Sequence, residues 1–304
     1  MGAAALLFTP PDSSASLVLG IIATVTFWAV FGYAVNDVAD RRDDRRAGKT
    51  NRAAELSTLS WGAFLLLAGS LSLGLSLLWA ADAAAPVLVL VGLMLAAAYS
   101  LPPLRLKERG AVGLLAGASA QWLLPVLALS SVEPWGWVRP ESWCLAFLGL
   151  AIGLRWMAVH QLDDASADRK AGVRTYVTGG GRAWHVIVGA LLSELGFLTA
   201  TLWLAWPRSI PAVLALAFWI VQQAFLRPRG EAFAKRLQGY GQAPLAEYYF
   251  LLLPLALALG RTRFSSAFLI VAGAFLLLGW GYVERMLGFN FSHRLLRRAS
   301  PPLP

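Results

Sequence analysis

Stretch after stretch of apolar residues, broken by short charged segments, constrains this chain more than any other feature. A bilayer span needs roughly 20 mostly apolar residues. Nine segments read as candidate helices: 14–36, 54–80, 85–101, 111–131, 142–162, 183–206, 210–226, 245–260 and 264–286. Several are short or carry a proline (Pro125, Pro254), as tilted or kinked spans do. A large soluble helical protein would show a polar stripe every 3.6 residues. Segments such as LLLAGSLSLGLSLLWA show none. Composition agrees: 58% of residues are hydrophobic and 14% charged, where a soluble domain is about a quarter charged. The expected fold is all-α, a multi-span transmembrane bundle of about nine helices. Residues 1–13 are too short to span and lack the positive start of a signal peptide, so they read as a tail. Residues 14–286 read as one transmembrane domain, and 287–304 as a basic tail.

Nine spans put alternate loops on opposite sides. Counted that way, one side holds 21 lysines and arginines and the other holds Arg139, Arg208, Arg261 and Arg263. The positive-inside rule then makes the charged loops and the C-terminus cytoplasmic, with a cell's inner membrane the expected location. Anionic lipid and an anionic substrate account for the net charge of +9, and no nucleic-acid partner is required. A single cysteine, Cys144, excludes a disulfide framework and a Cys-based zinc site.

The 17 acidic residues are clustered. Asp37, Asp40, Asp43 and Asp44 end the first segment, in AVNDVADRRDDRRAGKTNR. Asp163, Asp164 and Asp168 end the fifth, in HQLDDASADRKAGVRTY. The runs repeat at an offset of 124: Asp40 maps to Asp164, Asp44 to Asp168, Arg45 to Arg169, Arg46 to Lys170 and Gly48 to Gly172. That pattern suggests two related half-bundles with a site at their junction. Asn36 and Asp40, Asp37 and Asp40, and Asp40 and Asp44 are three or four apart, as are Asp164 and Asp168, so each set can share a helix face. Carboxylates gathered in one cavity repel without cations. Hard oxygen ligands of this kind suit Mg²⁺, which keeps waters and bridges to substrate phosphates.

The segment YSLPPLRLKERG lies on the same side. Pro102 and Pro103 stop its helix, and Arg105, Lys107 and Arg109 supply cations able to hold a diphosphate. Arg155 lies inside a span, where a charged group is a functional-site candidate or a partner for a carboxylate such as Asp163. Tyr248 and Tyr249, in AEYYFLLLP, read as an interfacial aromatic belt ahead of a cation-stabilising wall.

Together these residues resemble the UbiA superfamily of intramembrane prenyltransferases. Asn36, Asp37, Asp40 and Asp44 match its first motif, N-D-x-x-D-x-x-x-D, and Asp164, Asp168 and Gly172 match the second. Between them, Tyr99, Ser100, Pro102, Pro103, Leu106, Lys107 and Gly110 resemble the chlorophyll-synthase branch. The resemblance covers about residues 14–260. It implies Mg²⁺ held by Asn36, Asp37, Asp40, Asp44, Asp164 and Asp168, which are also the catalytic set. It further implies an isoprenyl diphosphate bound among Lys107, Arg105, Tyr99, Arg155, Lys170, Arg45 and His160. It implies too that the bundle surrounds a central cavity open to the lipid bilayer, in which the allylic group would pass to a lipophilic acceptor, usually aromatic.

Two features depart from the family. Members usually have a helix before the first-motif helix, and here 13 residues precede it, so a truncated start or altered acceptor binding is expected. His160 and Gln161 stand where many members carry further acids. Three other readings stay open: a membrane terpene cyclase, transfer of a phosphorylated sugar to a polyprenyl phosphate, and an ion-coupled transporter.

Overall fold

The computed structural model describes residues 15–48, 50–51, 53, 57–132, 135–225, 248–253, 255–256 and 273. Among the described residues there are seven α-helices and no strand. They are α1 (Ala15–Ala47), α2 (Thr58–Trp79), α3 (Ala84–Ser100), α4 (Ala111–Val132), α5 (Pro140–Ala171), α6 (Ala183–Leu204) and α7 (Ile210–Phe225). The expected span at 264–286, apart from residue 273, lies outside the described residues, as do both tails. Within the expected span at 245–260, residues 248–253 and 255–256 are described, all of them helical, and Tyr248–Leu252 form one turn. Among the described residues, four helices are long and apolar enough to cross a membrane: Leu19–Arg46, Thr58–Trp79, Pro140–Ala171 and Ala183–Leu204.

α1 and α5 outrun the apolar segments that announce them, because hydropathy ends where charge begins and the helix does not. The charged turns continue it with helix-supporting pairs such as Asp43–Arg46, 3.8 Å apart. Each helix stops at the glycine of the repeated Ala-Gly pair. Gly48 and Gly172 have φ of 72° and 76°, left-handed values that a side chain resists. Past Gly172, the Val173 amide returns to the Asp168 carbonyl at 2.9 Å. The acids therefore lie on rigid helix one turn before a fixed stop, not in a loop.

The described helices form two compact units, α1–α6 in the first and α7 with the Tyr248–Leu252 turn in the second. In the first, α5 packs between α4 and α6, and α1 packs on α2, α3 and α5. Lipid tails are as apolar as leucine, so membrane helices associate through close packing and polar bonds more than through the hydrophobic effect. Gly149 and Gly153 of α5 supply the close packing. A methyl group at Gly153 would lie 2.6 Å from the Ala118 carbonyl oxygen on α4, and one at Gly149 would strike that of Gln121. Polar bonds supply the rest. Ser72 of α2 donates to the Thr24 carbonyl of α1 at 3.0 Å, both buried. Outward-facing Leu66, Leu78, Met94 and Leu192 are exposed, as lipid-facing side chains would be. α5 is the most enclosed span, with 61% of its apolar stretch buried against 22% for α2.

In the second unit, Tyr248 and Tyr249 are buried, and the Tyr248 hydroxyl donates to the Ala212 carbonyl of α7 at 3.2 Å. They pack a helix contact and do not form the surface belt expected from sequence.

Candidate active site

Within the first unit, the charged ends of α1 and α5 open on one cavity of about 220 Å³. From α1 come Asn36, Asp40, Asp43 and Asp44, a 4–3–1 stripe that keeps one face of the helix. From α5 come His160, Gln161, Asp164 and Asp168. Tyr99 at the end of α3, Lys107, and Val173 and Thr175 beyond α5 close the lining. Five carboxylates thus face one ammonium.

The segment after α3 is built to deliver that ammonium. Arg105 has a left-handed φ of 37°, and a short 3₁₀ turn, Leu106–Glu108, follows it. This backbone aims Lys107 inward, and it is buried although lysines are almost never so. Its Nζ donates to Asp40 and, at 3.4 Å, to Asn36 Oδ1. Ser100 Oγ donates to the same Asn36 oxygen at 3.2 Å. Arg105 pairs with Asp43 and Glu108 and reaches Asp40 at 3.4 Å. Burial alone would lower the Arg105 pKa; Glu108, Asp43 and Asp40 outweigh it and raise the value. The left-handed Arg105 is thus held in place by three carboxylates. On α5, His160 Nε2 lies 3.5 Å from Asp164 Oδ2.

A family model for the UbiA prenyltransferase family matches residues 1–240. The chain belongs to that family. No curated protein matches it. Solved structures do, each a UbiA homolog from Archaeoglobus fulgidus, over 90% of this chain and 93% of theirs. One is bound to DMAPP and Mg²⁺ (18% identity, TM-score 0.54) and one to GPP and Mg²⁺ (18%, 0.59). A third reaches a TM-score of 0.61 at 17% identity. At such identity the likeness establishes the shared UbiA fold. With four helices fit to span, this UbiA chain is an integral membrane protein.

The cavity of this UbiA chain gathers most of the residues expected from sequence, though not all. Asn36, Asp40, Asp44, Asp164, Asp168, Lys107, Tyr99 and His160 line the cavity. Asp37 does not; it falls one residue off the α1 stripe, and its backbone carbonyl accepts from Asn51. Arg45, Lys170 and Arg105 are also outside the lining, Arg105 acting on Asp40 and Asp43 from behind. Arg155 is fully buried and bound to Glu194 of α6 through Nε at 2.7 Å and Nη2 at 2.9 Å. It staples α5 to α6 and is not part of the cavity lining, and its carboxylate partner is Glu194, not the Asp163 expected from sequence.

Four residues with roles in or around the site are not among the site residues expected from sequence. Asp43 lines the cavity, and the 36-40-43-44 spacing is its signal. Gln161 is buried in the lining, its Oε1 accepting from the Val177 amide at 3.4 Å. Glu194 and Asn51 carry no signal beyond a polar letter in an apolar span and in a turn.

Among the described residues, no three His, Cys, Asp or Glu side chains converge closely enough to cage a metal ion. The donor set nonetheless fits Mg²⁺. That ion takes one or two carboxylates and completes its shell with water and substrate phosphate, so a protein-only cage is not required.

Proposed function

We propose that this protein is a Mg²⁺-dependent prenyltransferase that moves an isoprenyl group from its diphosphate to a lipophilic acceptor of the aromatic class and releases diphosphate. One observation carries the reading: two matched acidic helix ends share a cavity with a buried lysine. An anionic diphosphate enters a site with this excess of carboxylates when cations accompany it. Asp40, Asp44, Asp164 and Asp168, with Asn36, are the residues that would hold Mg²⁺. When bound, Mg²⁺ supplies positive charge that stabilises the departing diphosphate. Lys107 moves its hydrogen bonds from Asp40 to a phosphate oxygen, and Tyr99 bounds the cavity beside it. Cleavage of the allylic C–O bond leaves a cation that the acceptor attacks, the acceptor's displaced proton passing to the released diphosphate, while the surrounding apolar helices keep water away. The lysine and arginine count supports cytoplasmic exposure of the charged loops.

The test is purified protein in nanodiscs with Mg²⁺ and radiolabelled GPP, with and without a lipid extract. Diphosphate release that requires the extract, with a prenylated product by mass spectrometry, supports the proposal. Release with a cyclic hydrocarbon product and no acceptor would make it a cyclase. No release under any condition would overturn the enzyme reading.

A further inference from the structure

Asn51 lies in the short segment between α1 and α2, outside the cavity lining. Its side chain uses both ends. Nδ2 donates to Asp44 Oδ2 at 2.6 Å and to the Asp37 carbonyl at 2.9 Å. Oδ1 accepts from the Ala53 amide at 2.8 Å. The amide orientation is forced twice: a backbone N–H needs an acceptor opposite it, and a backbone carbonyl needs a donor.

The far side of this contact is anchored. Ala53 is fully buried, and its carbonyl accepts from Trp61 Nε1 of α2 at 3.1 Å. Trp61 packs with Ala34 and Ala53, and with Val38 and Leu65 beside them. A continuous set of bonds therefore runs from the buried face of α2, through Asn51, to one oxygen of Asp44. Along the first acidic run, Asp40 is held by the Lys107 ammonium and Asp43 by the Arg105 guanidinium. Among the described residues, Asp44 is held by a neutral amide, which nothing need displace.

We propose that Asn51 is a positioning residue that sets the Asp44 carboxylate in its metal-binding orientation before Mg²⁺ arrives. This rests on the reading of Asp44 as a metal ligand. Fixing one oxygen leaves the other free for the ion and removes the rotamer freedom that binding would otherwise have to freeze. Partners of this kind typically change metal affinity roughly 10–100-fold.

The experiment uses full-length protein in detergent, with Mn²⁺ and inorganic diphosphate as probes and bound Mn²⁺ read by electron paramagnetic resonance. Asn51→Asp keeps the acceptor for Ala53 and loses the donor to Asp44 and to the Asp37 carbonyl, so the anchor through Ala53 stays while the positioning bond gives way to a like charge beside Asp44. It should bind Mn²⁺ roughly 10–100-fold more weakly, with tryptophan fluorescence and melting temperature near wild type. Asn51→Ala in an Asp44→Ala background should add no further loss, because its effect passes through Asp44. Wild-type Mn²⁺ affinity in Asn51→Asp, or losses that add in the double variant, would overturn the proposal and leave Asn51 a loop anchor. Absence of Mn²⁺ binding by the wild type would instead overturn the metal reading itself, and the role of Asn51 with it.

Discussion

Lys107, buried in the turn after α3, donates to the carboxylate of Asp40 on α1. The pair joins the segment after α3 to the first acidic helix end. Lys107→Ala removes the ammonium and leaves Asp40 facing its neighbouring carboxylates. A hydrogen bond to a charged group contributes about 1.5–3 kcal/mol, so apparent affinity for prenyl diphosphate should fall by roughly 10–100-fold. Lys107→Arg should keep part of it, since charge survives but geometry changes. A binding isotherm in nanodiscs decides; unchanged affinity in the alanine variant would reduce Lys107 to a structural counter-ion.

Asp164 tests the second half of the site. Asp164→Asn keeps size and removes charge, so the fold should stand while turnover drops at least about 100-fold, the loss of a few kcal/mol of transition-state stabilisation. Chelation with EDTA should abolish activity in the wild type, and Mg²⁺ should restore it. Near-normal turnover of the variant at saturating Mg²⁺ would remove Asp164 from the metal set.

Arg155 and Glu194 predict a stability effect and no direct catalytic one. Removing one member of a buried ion pair strands the other, at a cost of roughly 3–5 kcal/mol. Glu194→Ala should lower the melting temperature sharply, and the fraction that remains folded should keep wild-type affinity for prenyl diphosphate. Normal stability with weakened substrate binding would return Arg155 to the site.

Gly153→Val tests the approach of α5 to α4. The added side chain meets the Ala118 backbone, which cannot swing aside as a side chain can. The helices must separate, and overpacking of this kind typically costs about 1–3 kcal/mol. A thermal melt in detergent measures it, and an unchanged midpoint would mean the helix pair is more yielding than its packing indicates.

The acidic clusters are legible in the sequence because charge is costly in an apolar chain, so Asp40, Asp44, Asp164 and Asp168 stand out from their surroundings. The Asp-to-Gly repeat is legible as well, though as chemistry; it also ends the two helices, at Gly48 and Gly172. Hydropathy underestimates the lengths of α1 and α5 because apolarity and helicity stop at different residues. Glu194 has no sequence-level assignment, since its partner is 39 residues away on another helix. Asn51 is hidden for a different reason. An asparagine between helices reads as an ordinary turn residue, and only the folded return of the chain to Asp44 gives it a task.

The matched glycine stops carry one more consequence. Asp44 and Asp168 each precede their glycine by four residues, a rise of about 6 Å along the helix. That interval works as a gauge. It sets the height and compass bearing at which the chain leaves the helix, and so where Asn51 in one half comes back to Asp44, and Val173 and Thr175 in the other come back to the cavity. One inserted residue would leave the carboxylate facing the cavity but turn the exit by about 100° and carry it about 1.5 Å further. In both halves, then, the quantity under constraint is a count of residues as much as their kind.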